Sequence, residues 1–158
     1  MRHSTRFFLL VLLTTALASC SQPPVNPLEG TWKLNSITVM EGGNSTNIEN
    51  PGIGLMIFHG TWYAQVWMES DRLYSDPPTD LEKLHAYEAF DASAGTYTYE
   101  NARLTLSPQI ARDPRAVGRP SATRMVIEGD TMTRTKEQPS PDDPVQTIQW
   151  TSVYTRVR

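Results

Sequence analysis

From residue 31 to residue 157 the chain repeats one pattern. Short runs rich in Thr, Val, Ile, Tyr and Trp alternate in polarity and are separated by clusters of Gly, Pro, Asn and Asp. A period of two marks strands that turn one face to an apolar interior. Such runs lie at residues 31–39, 55–58, 61–69, 95–100, 102–107, 122–128, 131–136 and 147–157. His59-Gly60, Asn101 and Gly129-Asp130 stand at short junctions between neighbouring runs, where hairpin turns belong. Strands joined in succession by tight turns make an antiparallel meander, and closure hides its edges. The expected fold is all-β, an antiparallel up-and-down β-barrel of about eight strands.

One stretch departs from this pattern. In Thr79-Asp80-Leu81-Glu82-Lys83-Leu84-His85-Ala86-Tyr87-Glu88-Ala89-Phe90, the residues Leu81, Leu84, Tyr87 and Phe90 recur at helical spacing. Thr79 or Asp80 supplies an N-cap, Glu82 an acidic first turn, and Asp76-Pro77-Pro78 keeps the helix from starting earlier. One short helix is therefore expected, its apolar stripe packed on the barrel or across one end.

The N-terminus has a different texture. Arg2 and Arg6 precede an unbroken apolar run over residues 7–13, and small residues Ala16, Ala18 and Ser19 lead to Cys20. The apolar segment is shorter than the ~20 residues that cross a bilayer as a helix. An ordinary secretory signal that happens to contain a cysteine is one reading. The other rests on Leu17-Ala18-Ser19-Cys20, which resembles the lipobox of bacterial lipoproteins. That resemblance implies a signal peptide over residues 1–19 and a Cys20 carrying diacylglycerol and an amide-linked acyl chain such as palmitate. The mature protein would then be anchored in the bacterial cell envelope through acylated Cys20. Ser21, where an aspartate would favour inner-membrane retention, points by the same resemblance to the outer membrane, facing the periplasm.

Residues 20–29, with Pro23, Pro24 and Pro27, read as a lipidated terminus and extended tether. Cys20 is the only cysteine, so its acylation leaves no thiol for a disulfide, a metal site or a nucleophile. The chain must stand on its apolar core, and its length suits one domain. Its formal charge is −3 and becomes more negative once Arg2 and Arg6 are removed, which argues against nucleic acid as a partner.

Residues 30–158 carry a second resemblance. Gly30-Thr31-Trp32-Lys33-Leu34 holds a Gly-x-Trp on the first strand. Gly54-Leu55-Met56-Ile57-Phe58 follows, leading into Gly60-Thr61-Trp62-Tyr63-Ala64-Gln65. Then come Gly95-Thr96-Tyr97, Glu128-Gly129-Asp130-Thr131-Met132-Thr133, and the closing Tyr154-Thr155-Arg156-Val157. Taken in order, these segments resemble the small lipocalin-like domain family. The resemblance implies a barrel whose structural floor is Gly30, Trp32 and Arg156, with the arginine packed across the indole ring.

If Arg156 faces inward, alternation places Tyr154, Ser152, Trp150 and Ile148 on the inner face, and from Trp32 it selects Leu34, Ser36 and Thr38. For the run at 61–69 the choice of Tyr63, Gln65 and Trp67 as the inner set suits a mixed pocket, with Trp62, Ala64, Val66 and Met68 outside. Tyr97 and Tyr99 share a face, with Leu104, Leu106, Met125 and Ile127 behind them. The candidate ligand-binding residues are therefore Tyr63, Gln65, Trp67, Tyr97, Tyr99, Trp150, Ser152 and Tyr154. Each also has a plain reading as barrel core. The polar tips of the Tyr and Trp side chains favour the pocket, because a sealed core is more simply built from Leu, Ile and Phe.

Arg112, Arg115, Arg119 and Arg124 fall in or beside a Pro-rich segment over residues 107–123. The three spaced arginines on the loop would grip an anionic ligand or rest on lipid headgroups, or else form a solvated loop with Arg112 paired to Asp113. His59 and His85 have no partners at metal-ligand spacing, Ser36 and Ser152 lack a nucleophile-elbow setting, and no Gly-rich phosphate loop is present. No catalytic residue, metal ligand or cofactor is assigned. Two functions follow as expectations: a membrane-anchored barrel that binds a small, largely apolar ligand, or a cavity-poor envelope interaction protein. An isomerase or cyclase of lipocalin type comes third.

Overall fold

The computed structural model describes residues 26–141 and 143–158. The signal segment and Cys20 lie outside them. Nine strands and one α-helix follow along the chain: β1 (Gly30–Glu41), β2 (Asn44–Ile48), β3 (Ile53–His59), β4 (Trp62–Met68), α1 (Asp80–Glu88), β5 (Phe90–Glu100), β6 (Arg103–Ala111), β7 (Ser121–Glu128), β8 (Thr131–Pro139) and β9 (Thr147–Arg156). All neighbouring pairs are antiparallel, and β9 returns to pair with β1. β2 and β3 lie along the same edge of β1, β2 against residues 37–41 and β3 against residues 30–33. They are two halves of one barrel strand, broken at Glu49-Asn50-Pro51-Gly52. The result is a closed eight-stranded antiparallel barrel with one short helix.

Several boundaries differ from the sequence expectation. β2 was not anticipated: Asn44-Ser45-Thr46-Asn47 is exposed, so there is no apolar alternation to read. The expected helix ends at Glu88, and Phe90 opens β5 instead. β6 runs on to Ala111, which shortens the arginine-bearing loop and leaves it a single 3-10 turn at Pro114–Ala116.

The helix also docks differently. Its N-cap is Thr79, whose hydroxyl accepts from the Glu82 amide while the Glu82 carboxylate accepts from the Thr79 amide at 2.7 Å. Yet α1 buries none of its residues, and Leu81 is 76% exposed. The apolar stripe does not pack on the barrel. Polar contacts hold the helix: Arg72 donates to the Ala86 carbonyl at 3.0 Å, and Arg112 donates to the Tyr87 carbonyl at 3.0 Å with its guanidinium over the Tyr87 ring.

The interior is uneven along its axis. At the end where β3 turns into β4, Trp32, Phe58, Leu104, Met125 and Met132 are fully buried, with Met56, Leu106 and Tyr97 among them. Residues 26–29, expected as part of the tether, belong to this floor. Leu28 is fully buried, and its carbonyl accepts from the Trp32 indole N–H at 2.8 Å. At the opposite end, toward the β1–β2 turn, the helix and the 3-10 turn, inner side chains become polar and only partly buried.

A bulge sets which residues of β1 reach that open half. Leu34 pairs with Tyr154 and Ser36 with Val153, so Asn35 is the extra residue. Beyond it, Ile37 pairs with Ser152 and Val39 with Trp150. Ile37 and Val39 therefore share the inner face of β9. The expected inner residues Ser36 and Thr38 face outward, because one inserted residue reverses the alternation.

Candidate functional site

At the floor, Gly30, Trp32 and Arg156 come together. The Arg156 guanidinium lies 4.0 Å from the Trp32 ring centroid. It donates to the Glu29 carbonyl and, at 2.9 Å, to the Pro27 carbonyl, and its Nε is 3.4 Å from the Asp130 carboxylate. A guanidinium that covers an indole and ties down the incoming chain closes one end of the barrel. Gly30 sits under it at φ +117°, where a side chain would be strained and would crowd Arg156.

The opposite half is where space remains. A cavity of about 580 Å³ is lined by Ile37, Gln65, Trp67, Asp91, Arg134, Trp150 and Ser152, with Ser121, Thr123 and Lys136 on its far wall. Beneath it a pocket of about 110 Å³ reaches down to Leu34, Met56 and Tyr154. A side pocket of about 150 Å³ holds Tyr63 and Ser93. Ile37, Trp67 and Trp150 give the large cavity apolar surface, and Asp91, Arg134, Lys136 and Glu137 with several amide and hydroxyl groups make the rest of its lining polar, the mix that suits an amphipathic small molecule.

Each wall is positioned locally. Trp67 on β4 donates its indole N–H to the Pro51 carbonyl at 2.6 Å, at the break between β2 and β3. Its ring covers Gly52 and Gly54, where a methyl group would collide with or crowd it. Trp150 on β9 stands across from Val39 and Lys136. Its buried indole N–H has no hydrogen-bond partner among the described residues. Tyr63 exchanges a hydrogen bond with Ser93 at 3.2 Å, and burial pushes its phenol above the ordinary pKa, opposed by the Ser93 bond and by Arg134.

The sequence candidates thus divide. Gln65, Trp67, Trp150 and Ser152 meet at the large cavity, Tyr154 lies beneath it, and Tyr63 is at the side. Tyr97 and Tyr99 belong to the packed half. Tyr97 meets Phe58 edge-on at 4.9 Å and accepts a hydrogen bond from Asn26, while Tyr99 donates to the Met125 carbonyl at 3.2 Å. Those two read as core and floor.

Arg134 and Ile37 were not among the candidates. Ile37 is hidden from sequence by the bulge. Arg134 was legible: with Met132 buried, alternation along β8 turns Arg134 and Lys136 inward. An arginine on a strand reads as outward-facing by habit, and here it is not. Of the loop arginines, Arg119 does reach the site, lining the side pocket with Tyr63, Ser93 and Arg134, while Arg112, Arg115 and Arg124 lie away from it. Arg115 pairs with Asp113 at 2.9 Å, taking the partner expected for Arg112, whose Nε instead lies 3.6 Å from Asp91. Arg124 pairs with Arg103 across β6 and β7, on the outer face.

His59 bonds Glu29 at 2.7 Å on the floor turn, and His85 lies on α1, 3.6 Å from Glu69. Among the described residues no group of His, Cys, Asp or Glu gathers in a way that could hold a metal ion. No protein-family model, curated protein or solved structure matches the chain significantly.

Proposed function

We propose that this protein is a lipocalin-like lipoprotein, anchored in the bacterial envelope through acylated Cys20, that holds a small, largely apolar ligand in the open half of its barrel. One observation carries the reading: the interior is packed solid at the floor but leaves about 580 Å³ between Trp67, Trp150 and Ile37 at the other end. A barrel used only as a structural block gains nothing from a half-empty interior lined by two tryptophans, since such voids forfeit packing energy. Closure of the floor by Trp32 and Arg156 directs entry to the mouth. The order of segments from Gly30-Thr31-Trp32 to Tyr154-Thr155-Arg156 supports the family, and the run ending at Cys20 supports the anchor.

The test is tryptophan fluorescence of the protein titrated with fatty acids, fatty alcohols and hydrophobic dyes. Saturable one-to-one quenching or enhancement, lost in a Trp150→Phe, Trp67→Phe double variant that still melts cooperatively, is expected. Absence of a response across the panel overturns the reading. In that case the second reading stands, an envelope interaction protein. It is favoured by the exposed side chains Leu73, Leu81, Leu84 and Val145 on segments at the mouth end.

A further inference from the structure

We infer that Arg134 is the anchor for a carboxylate, so that the ligand is an amphipathic monoacid held head-down with its apolar body between Trp67 and Trp150. The inference rests on the open half being a binding cavity.

Arg134 projects from β8 into the barrel, opposite Ser152 on β9 and Met125 on β7. It lines the large cavity, the pocket below it and the pocket beside it, so it stands where the three adjoin. A guanidinium presents five N–H donors. Among the described residues two contacts engage it: Nε to the Thr123 hydroxyl at 3.3 Å and Nη1 to the Gln65 carbonyl oxygen at 3.4 Å. Both are long and both acceptors are neutral.

No carboxylate among the described residues forms an ion pair with it. Asp91, which lines the same three spaces, has its oxygen 3.6 Å from Arg112, and Glu137 accepts from Gln149 at 3.0 Å. A partly buried guanidinium with most donors unspent and no carboxylate at ion-pair distance has capacity for an anion.

The planar fork suits a carboxylate, which accepts two parallel N–H bonds. The surroundings are of mixed charge: Lys136 lines the large cavity and Arg119 the side pocket, set against Asp91 and Glu137. Hydroxyls of Ser93, Ser121, Thr123 and Ser152 line the spaces around Arg134, and Asp91, which borders all three spaces, weighs against a second negative charge next to the fork. The space below Arg134 is too small for a long chain, at about 110 Å³, so the apolar body extends toward the mouth. There Ile37, Trp67 and Trp150 meet it.

Calorimetric titration of the full chain with decanoate, decanol and decyl phosphate tests this. The protein is expected to bind decanoate roughly tenfold or more tightly than decanol. Arg134→Gln should bring decanoate down to the level of decanol while leaving decanol unchanged, and Arg134→Lys should restore part of the difference. Equal binding of decanoate and decanol by the parent, or undiminished decanoate binding by Arg134→Gln, overturns the anchor but leaves the cavity reading intact. Tighter binding of decyl phosphate overturns the carboxylate assignment. Failure of both decanoate and decanol to bind overturns the cavity reading itself. Should Arg134→Gln fail to fold, the decanoate–decanol comparison in the parent decides alone.

Discussion

Trp32 shows what one side chain does here. It is fully buried, its indole N–H is spent on Leu28, and its ring carries Arg156. Trp32→Ala should cost about 3–5 kcal/mol, since it opens a cavity and releases the residues beneath the guanidinium. Arg156→Met keeps an apolar stem over the ring and should cost about 1–2 kcal/mol, the scale of a sheltered cation–π contact. Urea midpoints of the two variants check the order, and equal midpoints would refute it. Gly95→Ala is a sharper case. Its methyl group would collide with the Ser107 carbonyl oxygen and come within 2.9 Å of the Gln109 amide nitrogen, and backbone cannot yield as a flexible side chain can. A loss of about 1–3 kcal/mol is expected in the same assay. At this scale the sequence was readable wherever a side chain's chemistry and its strand's alternation agreed. Trp32 is such a residue; Arg156 was placed by its resemblance to the floor arginine, and Arg134, also a charge on an inner face, had alternation alone to reveal it.

Among the elements, α1 is held by caps and polar contacts, and this makes it sensitive to acid. The Glu82 carboxylate accepts from the Ser75 hydroxyl and from the Thr79 and Ser75 amides, and these bonds hold its pKa at about 2 against an ordinary 4.5. A lowered pKa means that the contribution is present above pH 4.5 and is lost as pH falls toward 2. The helix should therefore fray in that window while the barrel persists. Carboxyl titration of Glu82 by NMR reads this, and a midpoint near 4.5 would contradict the capping geometry. Leu84→Ser should change stability by less than about 0.5 kcal/mol, because its side chain is exposed. Alternation revealed most strands, since each has one apolar face. It could not reveal β2, which has none, nor the bulge at Asn35, which leaves no mark in composition. The helix was legible as a helix, but periodicity alone does not say whether an apolar stripe is covered.

For the molecule as a whole, antiparallel closure was legible because successive runs with tight turns have few other ways to hide their edges. The half-open interior was not, since it depends on how inner side chains fill the space at each level. The proposed anchor gives a prediction at this scale. Asn26 bonds Tyr97 and Leu28 is buried under Trp32, so the floor is already engaged from Asn26 onward, six residues after Cys20. Cys20→Ala should move the protein from the membrane fraction to the soluble one with circular dichroism and melting temperature unchanged. Retention in the membrane would refute acylation as the attachment.

The antiparallel pairing of β1 and β9 also has a mechanical consequence. β1 begins and β9 ends at the floor, with Trp32 set against Arg156 there. A pull between residues 26 and 158 loads the hydrogen bonds of that seam one after another rather than together. Under tension the barrel would open like a zipper from the floor upward, at low force, and the stacked Arg156 would be the first catch to give.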